Sequence, residues 1–281
     1  MQLPLLAITG STGHIGGLVS KHLAGVGIPQ RLLARNPERA PSMPGALALQ
    51  CSFENTDESR SALAGTQTLF MVSASENSER LSQHRAFIDA ATAAGVRHIV
   101  YLSFFGAAPD ATFTLARDHW ATEQHIRESG MQYTFLRDNF YTDFFPTMVG
   151  EDSVLRGPAK DGRVASVTRA DVSCVAAAVL KDPEKHTDAT YNLTGPEAHT
   201  LSEVAQILTE ETGSSVSFHN ETIEEAYASR LAFDAPQWQY DAWVSTYTAI
   251  AAGELAKISC DVERITGHAP QTLRGFLQAR Q

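Results

Sequence analysis

The sequence predicts an α/β fold: a doubly wound parallel sheet followed by a smaller C-terminal substrate lobe. Three observations carry that expectation. Apolar runs of strand length alternate with helix-patterned segments over roughly the first 150 residues, as βαβ units do. The first run, Leu3 to Ile8, is almost continuously apolar, the pattern of a strand buried on both faces. That run ends in T-G-S-T-G-H-I-G, with glycines at 10, 13 and 16, and a helical pattern begins at His14. Glycines between a strand and a helix permit a tight turn, close backbone approach to a phosphate and close helix packing, while the helix N-terminus favours an anion. The turn Gly10, Ser11, Thr12, Gly13, His14 and Ile15 is therefore a candidate nucleotide-phosphate cradle, with an ordinary Gly-rich βα turn as the alternative. No Lys-Ser or Lys-Thr pair closes it, and the first lysine is Lys21, which argues against a Walker-type loop.

The elements follow in order. Gly25 and Gly27 end the first helix, and Gln30 to Ala34 form a second strand closing in Arg35-Asn36-Pro37. An NAD site places an acid near this strand end for the ribose 2′-hydroxyl, whereas a 2′-phosphate needs a cation. Residues 31–37 contain no acid and do contain Arg35, so the expected cofactor is NADP(H), with NADPH preferred over NADH. Ala46 to Phe53 read as a third strand, Asp57 to Ala64 as a short helix and Thr68 to Val72 as a fourth strand. Ser73-Ala74-Ser75 then stands at a carboxyl strand end, either against a cofactor or as a cap for a helix over Glu79 to Ala94. Arg97 to Ser103 is a fifth strand, which makes Ser103 another candidate, and Phe104-Phe105 form either a pocket wall or core.

Leu115 to Ser129 is an amphipathic helix with His119 and Glu123 on one face. With no HExxH and no third ligand, no metal is expected, and the pair reads as a local surface contact. Gln132 to Leu136 is a sixth strand, and its polar, aromatic continuation, Asp138, Asn139, Phe140 and Tyr141 up to Phe145, has the composition of a ligand mouth. From Gly150 the alternation becomes irregular. Thr168-Arg169-Ala-Asp171 opens a helix ending near Leu180, Thr190 to Leu193 is a strand, and Thr200-Leu-Ser-Glu203 is a capping box for a helix ending at Gly213. Ser215 to Phe218 reads as a strand, and 223–231, 238–251 and 272–279 as helices. The expected division is a nucleotide-binding core over 1–150 and a substrate lobe over 151–281, interleaved with that core.

Composition narrows the function. A formal net charge of −10 without a basic stripe argues against a nucleic-acid partner. Cys51, Cys174 and Cys260 lie far apart without a CxxC, so they read as small buried residues in a reducing compartment, and the expected location is cytoplasmic. No apolar run approaches the ~20 residues of a membrane span, and no cleavable leader precedes the first strand.

Five stretches in this order, ITGSTGHIGG (8–17), ARNPERA (34–40), SQHRAFIDAATAAGVRHIVYLS (82–103), YTFLRDNFYTDFF (133–145) and SVTRADV (166–172), resemble the NmrA-like branch of atypical short-chain dehydrogenases/reductases. Within it they are most similar to NAD(P)H:quinone oxidoreductases and triphenylmethane or azo-dye reductases. The resemblance spans essentially the whole chain and implies a Rossmann-like core binding NADPH and a C-terminal lobe over the nicotinamide. Carried over by position, it puts 10–15 at the pyrophosphate, Arg35 at the 2′-phosphate and Ser73 and Ala74 at the ribose. Residues 138–141 come near the nicotinamide, and Arg169 ties the small lobe to the cleft. The sequence departs from typical short-chain dehydrogenases in lacking their Tyr-x-x-x-Lys pair, and His119 stands about where related reductases keep a basic residue. A simple ketone, which needs a proton donor at the new alkoxide, is thereby disfavoured. A small quinonoid or aromatic acceptor needs less help and collects protons from His119, Tyr141 or water. Two other readings remain: a non-catalytic NAD(P) sensor acting through a protein partner, and a sugar-nucleotide or isoflavonoid-type reductase or epimerase. A serine hydrolase does not, since G-S-T-G is not a G-x-S-x-G elbow.

Overall fold

The computed structural model describes residues 3–280. In chain order the elements are β1 (Leu6–Thr9), α1 (His14–Gly25), β2 (Gln30–Ala34), β3 (Ala46–Gln50), α2 (Asp57–Leu63), β4 (Thr68–Val72), α3 (Arg80–Ala93), β5 (His98–Phe104), α4 (Thr114–Glu128) and β6 (Gln132–Asp138). Then come β7 (Val154–Gly157), β8 (Arg163–Val164), α5 (Arg169–Lys181), β9 (Ala189–Leu193), β10 (His199–Thr200), α6 (Leu201–Thr212) and β11 (Ser217–Asn220). Four helices close the chain: α7 (Ile223–Arg230), α8 (Gln237–Ala251), α9 (Asp261–Thr266) and α10 (Leu273–Gln278). The chain forms two compact units, one of residues 1–104, 118–137 and 172–191, the other of 105–117, 138–171 and 192–281.

The first unit carries a seven-stranded sheet in the order β3-β2-β1-β4-β5-β6-β9. The pairs β1–β2, β1–β4, β2–β3 and β4–β5 are parallel, so the order reverses beside β1, as in a doubly wound Rossmann-like sheet. Every residue of β1 and β2 is buried, as expected of strands covered on both faces. The core joins Ala7, Leu33, Leu69, Met71, Phe87, Ile88, Ile99, Ile126 and Phe135. The strand begins later than its apolar run: Leu3 and Leu5 are exposed, and β1 starts at Leu6. The Leu5 carbonyl accepts from Gln67 and Thr68 N–H at 2.8 and 3.1 Å, but flanking strands cover side chains only from Leu6 onward. Buried Arg31 in β2 satisfies its guanidinium on three main-chain carbonyls: Pro4 at 2.7 Å, Ala62 at 2.9 Å and Ala64 at 2.7 Å. It thereby ties the lead-in to β1 to the last turn of α2, where a cation is favoured.

The second unit holds two small sheets, parallel β7–β11 and antiparallel β8–β10. The Thr200/Glu203 capping box starts α6, and Gly213 ends it in the left-handed region, as the sequence predicts. Gly157 and Gly162 let β7 and the turn before β8 approach α8: a Cβ on the first would lie 2.1 Å from the Tyr247 ring, and on the second 2.0 Å from the Ile250 carbonyl oxygen. Phe105 is buried, which decides for the core reading of that residue.

Candidate functional site

The Gly-rich turn leaves β1 through Gly10 at φ +65°, a conformation a side chain would strain, with Val72 of β4 3.1 Å from where a Cβ would sit. Thr9 fixes the adjoining strand ends: its hydroxyl accepts from Val72 N–H at 2.9 Å and donates to the Val72 carbonyl at 3.2 Å. Gly13 is the N-cap of α1 and makes no side-chain cap, and the first turn of α1 carries no acid. The N–H groups there have no intrahelical partner. Thr12, Gly13 and His14 are exposed, while the Ser11 hydroxyl is buried without a hydrogen-bond partner. A buried orphan hydroxyl beside free helix N–H groups is the donor set that a pyrophosphate satisfies, so the residues present fit a dinucleotide. The glycines divide the work. A Cβ on Gly16 would lie 2.3 Å from the Gly10 carbonyl oxygen, whereas one on Gly13 meets only that oxygen, at 3.3 Å, and otherwise open space.

At the end of β2, Arg35 is exposed and makes no ion pair or side-chain hydrogen bond among the described residues. Asn36 caps the short 3₁₀ turn that follows by accepting from Glu38 N–H at 3.1 Å.

The segment after β4 is held in a way the sequence did not disclose. Ser73 to Ser75 do not cap α3, whose N-cap is Glu79. Instead both main-chain groups of Ala74 are bound by side chains of α3: its N–H donates to His84 Nε2 at 2.9 Å, and its carbonyl accepts from Arg80 Nε at 3.1 Å. The far ends of both side chains reach α4. His84 Nδ1 meets Thr122 Oγ1 at 2.9 Å, and Arg80 Nη2 meets His119 Nε2 at 2.9 Å, with Arg80 Nη1 3.6 Å from Asp118 Oδ2.

His119, the first candidate for a proton donor, is buried within this group. An arginine only donates, so His119 Nε2 accepts and its single proton sits on Nδ1, 2.9 Å from the Tyr101 hydroxyl. Burial first, then the positive Arg80, hold His119 well below the usual imidazole range, and His84 is lowered for the same two reasons. Both rings are therefore neutral near pH 7. Glu123, expected as a surface partner of His119, is fully buried. It accepts from Ser103 Oγ at 2.6 Å and from Arg137 at 2.8 and 2.6 Å, because that face of α4 packs on the strands. The Ser103 hydroxyl is thus committed inside the unit.

The second unit gathers the remaining candidates. Asn139 is buried, donates to the Leu255 carbonyl at 3.0 Å and accepts from Phe140 N–H at 2.8 Å, so it shapes the strand exit. The Tyr141 hydroxyl donates to Asp138, and burial together with that carboxylate pushes the phenol well above its usual range. Arg169 lies over the Tyr141 and Phe144 rings at 5.2 and 4.5 Å, and its N–H donates to Asp143 at 2.9 Å. Phe140 borders Phe144 and Phe145. Among the described residues no group of three or more His, Cys, Asp or Glu is placed to hold a metal, and no helix is long and apolar enough to cross a membrane.

Residues 10–183, more than half of the chain, match the NAD(P)H-binding family. The chain belongs to that family. It is 32% identical to quinone oxidoreductase 2 of Escherichia coli over 96% of each protein. The crystal structure of the Escherichia coli NADPH-dependent quinone oxidoreductase with NADPH aligns at a TM-score of 0.89 and 31% identity, over 98% of this chain and 99% of that one. Citrobacter sp. triphenylmethane reductase complexed with NADP(H) aligns at 0.87 and 32% identity, over 98% and 100%. These likenesses place the chain among the NAD(P)H-dependent oxidoreductases, with a nicotinamide dinucleotide as cofactor.

Proposed function

We propose that this protein is an NADPH-dependent reductase whose acceptor is a quinone or a related conjugated, dye-like small molecule. The observation that carries the reading is the state of its candidate acids. His119 is neutral with both ring nitrogens engaged, and the Tyr141 phenol is bound to a carboxylate that raises its pKa. Neither is poised to drive protonation of a localised alkoxide, the step that reduction of a simple ketone requires. A conjugated acceptor spreads the incoming charge and takes its proton from water. The named activities of the relatives, quinone and triphenylmethane reduction, share that electronic demand.

In this reading the turn 10–15 holds the pyrophosphate, with Ser11 Oγ and the α1 N–H groups as donors. Arg35 pairs with the 2′-phosphate, a dianion its guanidinium matches with two parallel hydrogen bonds. Ser73 and Ala74 lie along the ribose. Asp138, Asn139, Phe140 and Tyr141 line the nicotinamide and acceptor region, where Phe140 and Tyr141 supply apolar area, and Arg169 braces Tyr141 from behind. His119 supports the Ser73–Ala74 segment through Arg80, and the Ser103 hydroxyl is committed to Glu123. The bound dinucleotide supplies a hydride, so that quinone, NADPH and one proton yield hydroquinone and NADP⁺. The chain's share is positioning and exclusion of water, which are worth several powers of ten when geometry is fixed. Only Cys51 is buried as expected, whereas Cys174 is half-buried and Cys260 exposed; none is in a disulfide, and the cytoplasm is the proposed location. A steady-state assay of NADPH oxidation against a panel of small quinones, with NADH in parallel, tests the reading. Quinone-dependent turnover supports it, and NADPH binding without turnover of any acceptor would identify a sensor instead.

A further inference from the structure

One peptide in the first unit is gripped from both sides by one helix. Both polar groups of Ala74 are taken by side chains of α3 four residues apart, His84 on the N–H and Arg80 on the carbonyl. Residues at that spacing share a helix face, so a single orientation of α3 sets both bonds. The two side chains are almost completely buried, Arg80 at 4% exposure and His84 at 0%. Burying a guanidinium costs several kcal/mol unless it is paired, and here Arg80 Nη1 lies 3.6 Å from the Asp118 carboxylate. Two backing contacts offset the cost. His84 Nδ1–H donates to Thr122 Oγ1, which in turn donates to the Asp118 carbonyl at 2.7 Å, and Arg80 donates to His119. The bonds run in one direction, Ala74 N–H to His84 to Thr122 to the α4 backbone, and use the one proton and the one acceptor nitrogen of the neutral imidazole.

Ala74 stands two residues beyond β4 and next to the end of β1, where ligands dock in a doubly wound sheet. We propose that Arg80 and His84 are positioning residues for the dinucleotide: they clamp the Ala74 peptide so that the Ser73–Ala74 main chain is set in its cofactor-bound shape before NADPH arrives. The inference rests on the reading above that this segment lies along the cofactor. Its consequence is that α4, through Thr122 and His119, is mechanically part of cofactor affinity although neither residue touches the ligand. Preorganisation of this kind shows in binding, since a loosened segment must be ordered at the moment of association.

The test uses the full chain and reads NADPH affinity by quenching of intrinsic tryptophan fluorescence, with no acceptor present. His84→Leu removes the acceptor for Ala74 N–H, while His84→Gln places a carbonyl oxygen where Nε2 stands. We expect the dissociation constant for NADPH to rise about tenfold in His84→Leu and to return to within about threefold of wild type in His84→Gln, with kcat at saturating NADPH changed less than KM for the cofactor. In ¹⁵N-labelled wild type, a through-hydrogen-bond coupling between the Ala74 amide and His84 Nε2 should be visible. If His84→Leu does not fold, Thr122→Val, which deletes only the hydroxyl behind His84, replaces it, with an expected loss of about threefold or more. A folded His84→Leu or Thr122→Val protein that binds NADPH as wild type does overturns the clamp and leaves the function reading standing. A Gln variant as weak as Leu also overturns it, and a wild-type protein that does not bind NADPH overturns both.

Discussion

Gly13 and Gly16 look equivalent in the sequence, yet the structure assigns them opposite consequences. A Cβ on Gly16 would lie 2.3 and 2.4 Å from the Gly10 carbonyl oxygen and carbon and 2.7 Å from the Thr9 carbonyl oxygen, all main-chain atoms that cannot swing aside. Gly16→Ala must therefore push α1 away from β1, an overpacking strain of about 1–3 kcal/mol. With ~2 °C of melting temperature per kcal/mol for a chain of this size, the melting point should fall by roughly 2–6 °C without ligand. Gly13→Ala meets one atom at 3.3 Å and has an extended backbone at φ −100° and ψ −176°, so its ligand-free melting point should stay within about 1 °C. Its methyl group instead occupies space in front of the α1 N-terminus, and Gly13→Val fills more of it. NADPH should accordingly lose most of its ability to raise the melting point of the Gly13 variants, an effect that scales as RT ln(1 + [L]/Kd). The assay is differential scanning fluorimetry of wild type, Gly13→Ala, Gly13→Val and Gly16→Ala over an NADPH titration. A Gly13→Val protein that keeps the wild-type ligand shift would place the phosphates elsewhere. A Gly16→Ala protein as stable as wild type would refute the packing argument.

Four further outcomes follow from the same geometry. Arg35→Ala should weaken NADPH binding by about 10- to 100-fold, the range of a lost charge-assisted contact, and leave NADH within about twofold, as read by titration of both cofactors. Because folding lowers the pKa of His84 and His119, the unfolded chain binds more protons below its own imidazole value of about 6.5. Their contribution is thus complete above that pH and lost as pH falls, by up to ~1.4 kcal/mol per pH unit for each, measurable by urea unfolding between pH 7.5 and 5.5. His119→Ala leaves Arg80 Nη2 and the Tyr101 hydroxyl without their partner, so it should cost about 1–3 kcal/mol of stability while slowing quinone reduction by no more than about tenfold. A ~10⁴-fold loss with NADPH binding intact would make His119 the essential acid. Glu123→Ala strands Arg137 and the Ser103 hydroxyl and should cost about 3 kcal/mol in the same unfolding assay.

The strands and helices around the cofactor half could be read from the sequence because each carries its own local signal. β4 was bounded correctly at Thr68 and Val72 by flanking polar residues, and the capping box of α6 is visible as Thr200 and Glu203. Signals failed where tertiary packing decides. Leu5 looks like strand interior but is exposed, β7 at Val154–Gly157 pairs with the distant β11, and α9 is too short to show a period. The Gly-rich turn between β1 and α1 was legible because its glycines are spaced for a tight strand-to-helix connection, and Gly10 does adopt the left-handed region there. Arg80 and His84 were missed because their partners are one peptide and the residues His119 and Thr122, distant along the chain. Their i,i+4 spacing on a helix just after the Ser73–Ser75 strand end was the one available hint. The same blindness made His119 and Glu123 look like a surface pair, when α4 buries both and sends them to different partners.

In the proposed reaction the bound NADPH gives its hydride directly to a conjugated acceptor. An anaerobic single-turnover experiment tests this most directly, mixing the protein and one equivalent of NADPH, either unlabelled or deuterated at nicotinamide C4, with a small quinone and following absorbance at ~340 nm. Direct transfer gives one hydroquinone per NADPH consumed and a slower transient for one of the two C4-deuterated isomers. NADPH that stays bound and unconsumed in the presence of every quinone tried would contradict it.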